Sequence, residues 1–307
     1  MEEVVYDIVI IGGGPAGLTA GMYAARAKLN VILIEKKLPG GQCLIYETVE
    51  NYPGFPDGIE APVLMERMKL QGERFGLKII KDEVLSVSLD GDTKMLQLKS
   101  DKIRCKSVIV TSGAQPRKLA VPGEKELTSK GVSYCATCDG AFFEDCIISV
   151  VGGGDQAVEE ALYLTKFGSK VYIIHRRDEL RATKIIQEKA FNNEKIEFIW
   201  DTVVTSIEGD GIVNTLRLKN LKTGEESTHD TDAVFIFVGT RPDTEFLRGS
   251  VELDNSGFVI VNQKMETNVQ GIYAAGDVIS KECRQISTAV GEGALAAFNA
   301  GRFVDPY

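Results

Sequence analysis

Two stretches of the chain carry the same order of apolar and polar positions. Residues 8–37 read IVIIGGGPAGLTAGMYAARAKLNVILIEKK, and residues 148–177 read ISVVGGGDQAVEEALYLTKFGSKVYIIHRR. They align without a gap, Gly152 lying 140 positions after Gly12. Each is a short β-branched apolar run, three glycines, a stretch with apolar residues at helical spacing, and a second apolar run. Short apolar runs bounded by glycine predict buried strands, and the period between them predicts a helix. Each stretch is thus a β-α-β unit. Alternating segments follow both copies, Val84–Leu89 and Met95–Lys99 in one, Val203–Glu208 and Thr215–Asn220 in the other. Both copies then close on an apolar strand and a turn, VIVTSGAQP at 108–116 and VFIFVGTRP at 234–242.

The remaining segment is no third copy. Residues 271–278 read GIYAAGDV, a strand with Gly-Asp at its end, and 285–303 read as a helix rich in alanine and glycine. A tail this short cannot bury a core alone. It is expected to rejoin the first unit, which makes the second an insertion with crossings near 114–117 and 241–245. The expected domains are 1–114 with 245–307, and 117–242.

The glycines carry chemistry. Gly12, Gly14 and Gly17 form G-x-G-x-x-G, and Gly152, Gly154 and Ala157 form G-x-G-x-x-A. The first glycine allows a tight turn, the second lets backbone approach a pyrophosphate, and the third position must be small for the helix to pack on its strand. The pyrophosphate then meets the free N–H groups of a helix N-terminus. Fold and chemistry together read as α/β: two Rossmann-like, three-layer dinucleotide-binding domains, the second inserted into the first.

The ends of the second strands separate the ligands. Glu35 lies 23 residues after Gly12; His175 lies 23 after Gly152 and is followed by Arg176 and Arg177. A carboxylate there accepts hydrogen bonds from ribose hydroxyls, whereas arginines attract a 2′-phosphate. Arg181 joins the same face if a helix begins there. The first site suits FAD or NAD and the second NADPH. The plainer alternatives are glycine-rich turns without a ligand and a solvated strand end.

Composition narrows the classes. The 307 residues, 44% hydrophobic, suffice for two ordinary domains. The net charge is −9, and the one tight basic cluster is 175–177, so no nucleic-acid partner is expected. No run of about 18 apolar residues occurs, so no membrane span is expected. The N-terminus MEEVVYD has no signal-peptide pattern, and with a first strand near Val4 no extra N-terminal domain is expected. A cytoplasmic location with reduced thiols follows as an expectation.

Of six cysteines (Cys43, Cys105, Cys135, Cys138, Cys146 and Cys283) only Cys135 and Cys138, in YCATCDG, are closely spaced. Such a pair holds a metal, cycles as a disulfide, or is merely two small buried residues. Zinc sites use four ligands, and no second pair exists beside the two histidines, His175 and His229. No metal is predicted. Two nucleotide sites in one chain need an outlet for electrons, which favours the redox pair.

Together these motifs resemble the low-molecular-weight, bacterial-type thioredoxin reductases, pyridine nucleotide-disulfide oxidoreductases of class II. The resemblance spans the whole chain through GGGPAG at 12–17, PGGQ at 39–42, ENYPGF at 50–55, CATCDG at 135–140, GGGDQA at 152–157, HRRDELRA at 175–182, AAGD at 274–277 and RQ at 284–285. It implies FAD along the first domain, with Gly12, Gly14, Pro15, Ala16 and Gly17 at the pyrophosphate and Glu35 at the adenosine ribose. Gly41, Gln42, Asn51 and Gly113 would line the cofactor, as would Gly276, Asp277, Arg284, Gln285 and Ile286 from the tail. For NADPH it implies Gly152, Gly154, Asp155, Gln156 and Ala157 at the phosphates and His175, Arg176, Arg177 and Arg181 at the 2′-phosphate.

By the same resemblance Cys138 faces the flavin and Cys135 attacks thioredoxin, the disulfide acceptor, through a mixed disulfide. A helix N-terminus at this pair would favour thiolate. Asp139 is the natural proton donor and acceptor, with a turn or capping aspartate as its alternative. Because pair and nicotinamide site share one domain, the resemblance implies rotation about the crossings, with Gly113, Pro116, Gly239 and Pro242 as hinge residues. It also implies a homodimer. Gln156, Cys43 and Gln270 depart from the common pattern, at positions where serine, an aliphatic residue and proline are usual. Three other functions stay open: reduction of another disulfide acceptor, a ferredoxin-driven sibling, and a non-catalytic flavin redox sensor.

Overall fold

The computed structural model describes residues 4–45, 48–49 and 51–306; the side chains of Ile45, Thr48, Thr137 and Cys138 lie outside that description. The chain divides into two compact units, one up to Gln115 together with everything from Arg241 on, the other Pro116–Thr240. In chain order the first unit opens with β1 (Val5–Ile11), α1 (Pro15–Arg26), β2 (Val31–Glu35), the short pair β3 (Thr48–Val49) and β4 (Ile59–Glu60), α2 (Ala61–Arg74) and β5 (Lys78–Lys81). A meander follows, β6 (Val84–Asp90), β7 (Thr93–Leu98) and β8 (Lys102–Val110), then β9 (Ala114–Pro116).

The second unit holds β10 (Val132–Ser133), α3 (Ala136–Asp139), β11 (Ile147–Gly152), α4 (Asp155–Leu164), β12 (Lys170–Ile174), α5 (Lys184–Phe191) and β13 (Ile196–Ile199). It continues with β14 (Thr202–Glu208), β15 (Thr215–Asn220), β16 (Glu226–Asp230), β17 (Ala233–Phe237) and β18 (Thr240–Pro242). Back in the first unit, β19 (Ile272–Ala274) and α6 (Ile286–Val304) end the chain. The connecting strands β9 and β18 pair with each other.

In the first unit the parallel strands run β5-β2-β1-β8, with β19 parallel to β8 on its far side. In the second they run β13-β12-β11-β17-β10, all parallel. The sequences explain this: Ile8–Ile11, Val31–Ile34 and Val108–Val110 are buried throughout, as parallel strands covered on both faces must be. On one face of the first sheet α1 and α6 meet through small residues, among them Ala16, Ala20, Ala24, Ala289 and Ala296. A Cβ added at Gly293 would come within 2.2 Å of the Ala16 carbonyl oxygen, so the two helices touch backbone to backbone. The other face carries Leu96, Leu98, Leu247, Val259 and Val278.

The units differ where the meander meets the sheet. β8 is one strand, antiparallel to β7 at its start and parallel to β1 along its length. In the second unit the corresponding run breaks into β16, in a separate three-stranded sheet, and β17. Buried Thr231 stands at the break, its Oγ1 within 3.0 Å of the Ile147 carbonyl and 2.9 Å of the Ala233 carbonyl.

Candidate active site

The first fingerprint turn is shaped by close approach. Gly12 has φ +104°, and a Cβ on it would lie 2.5 Å from the Thr111 carbonyl oxygen. A Cβ on Gly17 would lie 1.9 Å from the Gly12 carbonyl oxygen, so α1 rests directly on the turn. Gly14 faces open space, with nothing within 4 Å of its missing Cβ. It is also the N-cap of α1, with no side-chain cap, Pro15 in the first turn and Ala16 buried behind it. Unclaimed N–H groups beside an open glycine are what an anionic pyrophosphate needs. Glu35 reaches back over this turn: Oε2 accepts the Gly13 N–H at 2.7 Å and Oε1 the Lys37 N–H at 2.7 Å.

The tail of the chain brings the other first-unit residues to the same sheet edge. Gly41 (φ +60°) begins a short 3₁₀ helix whose own missing Cβ would sit 3.2 Å from the Gly14 Cα. The Gln42 amide donates to Gln115 Oε1 at 2.9 Å, and the Asn51 amide to Gln285 Oε1 at 3.0 Å. Gln285 caps α6, its N–H donating to Thr288 Oγ1 at 3.2 Å, and Ile286 packs with Cys43, Leu64 and Met65. The Gly276 N–H donates to Glu292 Oε2 at 2.9 Å. Lys281 Nζ lies 2.7 Å from the same oxygen and 3.5 Å from Asp277 Oδ1. Asp277 Oδ1 is buried and has no hydrogen-bond partner, and neither has Arg284 Nε. The Arg284 guanidinium stacks 4.2 Å over Phe258. Gly113 (φ +72°) accepts the Asp243 N–H at 3.0 Å.

The second turn repeats the first with other side chains. A Cβ on Gly152 would lie 2.4 Å from the Phe237 carbonyl oxygen and 2.6 Å from Ala157 Cβ. Gly154 is open and is the uncapped N-cap of α4. Asp155 accepts the Thr183 N–H at 2.6 Å, while Gln156 is exposed. His175, 4% exposed, lies over Gly153, where a Cβ would be 2.4 Å from its Nδ1. Burial first, then Arg181, Arg176 and Arg177, push its pKa down. Arg176 and Arg177 are exposed.

Arg181 is not joined to Arg177 by helical spacing, since α5 starts only at Lys184. Its backbone N–H donates to the Gly153 carbonyl at 2.7 Å instead, between the buried Leu180 and Ala182. Two apolar anchors one residue apart suit an extended segment, so the arginine joins the turn by a backbone bond.

The redox motif sits at the end of β10. Cys135 is buried and in a disulfide, whereas Cys43, Cys105, Cys146 and Cys283 are free thiols. The side chain predicted as its partner, Cys138, lies outside the described residues. The expected helix here, α3, is a single turn. Ser133 Oγ accepts the Cys135 N–H at 3.1 Å and lies 2.5 Å from Asp139 Oδ2. The Asp139 N–H donates to the Cys135 carbonyl at 3.2 Å. Tyr134 donates to Glu124 Oε1 at 2.6 Å, and the buried Glu124 also accepts the Leu119 and Ala120 N–H groups. Cys43 is inert by comparison: burial, aided by Asp277, pushes its thiol up to about 12. Among the described residues no cluster of His, Cys, Asp and Glu could hold a metal, and no helix is long and apolar enough to cross a membrane.

A family model described as pyridine nucleotide-disulphide oxidoreductase matches residues 6–293. The chain is 49% identical over 309 residues to a thioredoxin reductase of Peptoclostridium acidaminophilum, covering 99% of this chain and 98% of that one. The chain belongs to the thioredoxin reductase family of pyridine nucleotide-disulphide oxidoreductases. A thioredoxin reductase of Bacillus subtilis (strain 168) is 46% identical over 305 residues, covering 99% and 96%. The crystal structure of Lactococcus lactis thioredoxin reductase (FR conformation) matches with a TM-score of 0.86 at 48% identity, covering 97% and 99%. Thioredoxin reductases of this family use FAD and NADPH. The first unit fits FAD by its orphaned Asp277 oxygen, its open Gly14 and the uncapped α1; the second fits NADPH by its open Gly154, the uncapped α4 and three arginines.

Proposed function

We propose that the protein reduces the disulfide of thioredoxin with electrons from NADPH, as a thioredoxin-disulfide reductase. The observation that carries this is the state of the thiols. Cys135 is disulfide-bonded in the unit bearing the arginine-tailed fingerprint, and the four distant cysteines are free. The unit up to Gln115 and from Arg241 on is assigned to FAD, and Pro116–Thr240 to NADPH. When bound, NADPH supplies a hydride and FAD turns it into an electron pair that a disulfide can accept.

The chain's own residues do the rest. Gly12, Gly14 and Gly17 leave room for the FAD pyrophosphate at α1, and Asp277 offers its carboxylate to a hydroxyl of the cofactor. Gln42 and the hydrogen-bonded pair Asn51 and Gln285 offer their amides to the flavin. Arg176, Arg177 and Arg181 hold the 2′-phosphate of NADPH, and buried His175 keeps the turn beneath them rigid. Cys135 and Cys138 form the redox pair, Cys135 attacking thioredoxin while Asp139 exchanges the proton.

The finer assignments are part of the same reading. Exposed Tyr23 on α1 and Leu295 and Phe298 on α6 offer an apolar face for a homodimer. Free thiols outside the motif suit a reducing cytoplasm.

The test follows NADPH oxidation by the FAD-loaded protein with thioredoxin and a disulfide dye. Turnover should depend on thioredoxin and vanish in Cys135→Ser. Flavin bleaching by NADPH without a thioredoxin effect would leave the donor and remove the acceptor.

A further inference from the structure

We propose that Ser133 is a positioning residue for the proton step at the redox pair, its hydroxyl fixing one oxygen of Asp139 and the backbone of Cys135 together. This rests on the reading of Asp139 as proton donor given above.

Ser133 ends β10, where it is paired in register with the fully buried Phe235 of β17. The serine itself is 4% exposed. The sheet therefore fixes its position. A serine hydroxyl has one proton and two lone pairs. Two acceptors compete for the proton: Asp139 Oδ2 at 2.5 Å and the Cys135 carbonyl at 3.2 Å. The shorter contact to a carboxylate wins, because charge-assisted hydrogen bonds are shorter and stronger. A lone pair then accepts the Cys135 N–H at 3.1 Å. The Asp139 N–H, donating to the Cys135 carbonyl at 3.2 Å, closes the loop.

The consequence is chemical. Reducing the disulfide consumes two electrons and two protons and yields two thiols. When the S–S bond breaks, the electron pair and one proton would come from NADPH as its hydride, passed on through FAD, and the sulfur that leaves as thiolate takes the second proton from Asp139. Oxidation of the dithiol by thioredoxin returns one proton to the carboxylate, and the second sulfur of thioredoxin takes its proton from water. With Oδ2 held by Ser133, Oδ1 is the oxygen that carries the moving proton, and the carboxyl is held in one rotamer. A carboxyl free to turn would be in place for only part of the time.

The experiment uses the FAD-loaded full chain and a double-mutant cycle on Ser133→Ala and Asp139→Asn. Asp139→Asn is expected to lower kcat about 10²-fold, in the range for loss of a general acid. Ser133→Ala is expected to lower kcat about tenfold, with KM for NADPH unchanged. In the Asp139→Asn background the same serine change should cost less than about twofold, because the group it positions is already gone. A merely structural serine would give multiplying effects. Ser133→Thr and Ser133→Val, alike in shape, serve if the alanine variant is unstable: Thr should keep kcat near wild type and Val should not. Full kcat in Ser133→Ala beside a crippled Asp139→Asn, multiplying losses, or equal Thr and Val variants would overturn the proposal alone. Full activity in Asp139→Asn would overturn the proton-donor reading and the proposal with it.

Discussion

The fifth parallel strand occupies the same place in both sheets and does different work in each. In the first unit it is β19, beside β8, and it ends at Gly276 and Asp277. In the second it is β10, beside β17, and it ends at Ser133 and Cys135. One copy offers a carboxylate oxygen without a hydrogen bond at that end, the other a disulfide. The strand after the fingerprint differs in the same manner. Glu35 accepts a hydrogen bond from the backbone of its turn, whereas His175 lies against its turn amid three arginines. A duplicated scaffold keeps its parallel strand order and its first two fingerprint glycines, and exchanges what stands at the C-terminal ends of the strands, where ligands meet such sheets.

The largest expected break in this comparison comes from the third fingerprint position. Gly17→Ala forces a Cβ into the Gly12 carbonyl at 1.9 Å. The first unit should lose FAD on gel filtration and melt earlier, by about 1–3 kcal/mol or more as in overpacked cores. Ala157→Gly, the reciprocal change, should cost about 1 kcal/mol, the helix penalty of glycine. Equal effects of the two would show that the turns are not distinguished by this contact. Next in size, Arg176→Ala with Arg177→Ala should raise KM for NADPH about 10²-fold, the loss of two charge-assisted contacts, and leave turnover with NADH nearly unchanged. An equal rise for both nucleotides would detach the arginines from the 2′-phosphate.

A third effect concerns α4 alone and is confined to one side of the pH range. Burial, then Glu159, raises Glu160 to about 7, above its unfolded value of 4.5. The folded chain thus binds more protons there than the unfolded one between those values, so stability falls as pH rises through that window. Glu160→Gln should raise the melting temperature at pH 8 by the equivalent of about 1–3 kcal/mol and change little at pH 4. A gain of the same size at both pH values would remove burial as the cause.

Much of this could be read from the sequence because the relevant residues lie close together in it. The fingerprint units are contiguous and periodic, so the strands, helices and glycine turns stand out. Ser133 gave no signal: a serine two residues before a cysteine acquires meaning only once the Asp139 carboxylate turns back to it. Lys281 and Glu292 face each other across the start of α6, and neither residue type at that separation has a pattern of its own. The spacing of Arg177 and Arg181 left open whether a helix begins there, and the buried Leu180 and Ala182 favour an extended path instead. The equivalence of β10 and β19 was hidden for another reason. One precedes its fingerprint and the other follows its meander, so no linear alignment brings them together.

That exchange of order reaches into how the chain is made. Every strand of the second parallel sheet lies between Val132 and Phe237. The first sheet waits for β19, and the Ser107 hydroxyl meets the Gly271 carbonyl across 164 residues. Pairings of low sequence separation form sooner, because less loop entropy opposes them. On the ribosome the unit that emerges later can therefore fold to completion first, while the unit that began the chain stays open until the C-terminus arrives. Pulse-labelled hydrogen exchange should find β11 and β12 protected before β8, and a chain ended ahead of Ile272 should retain the inserted unit and lose the other.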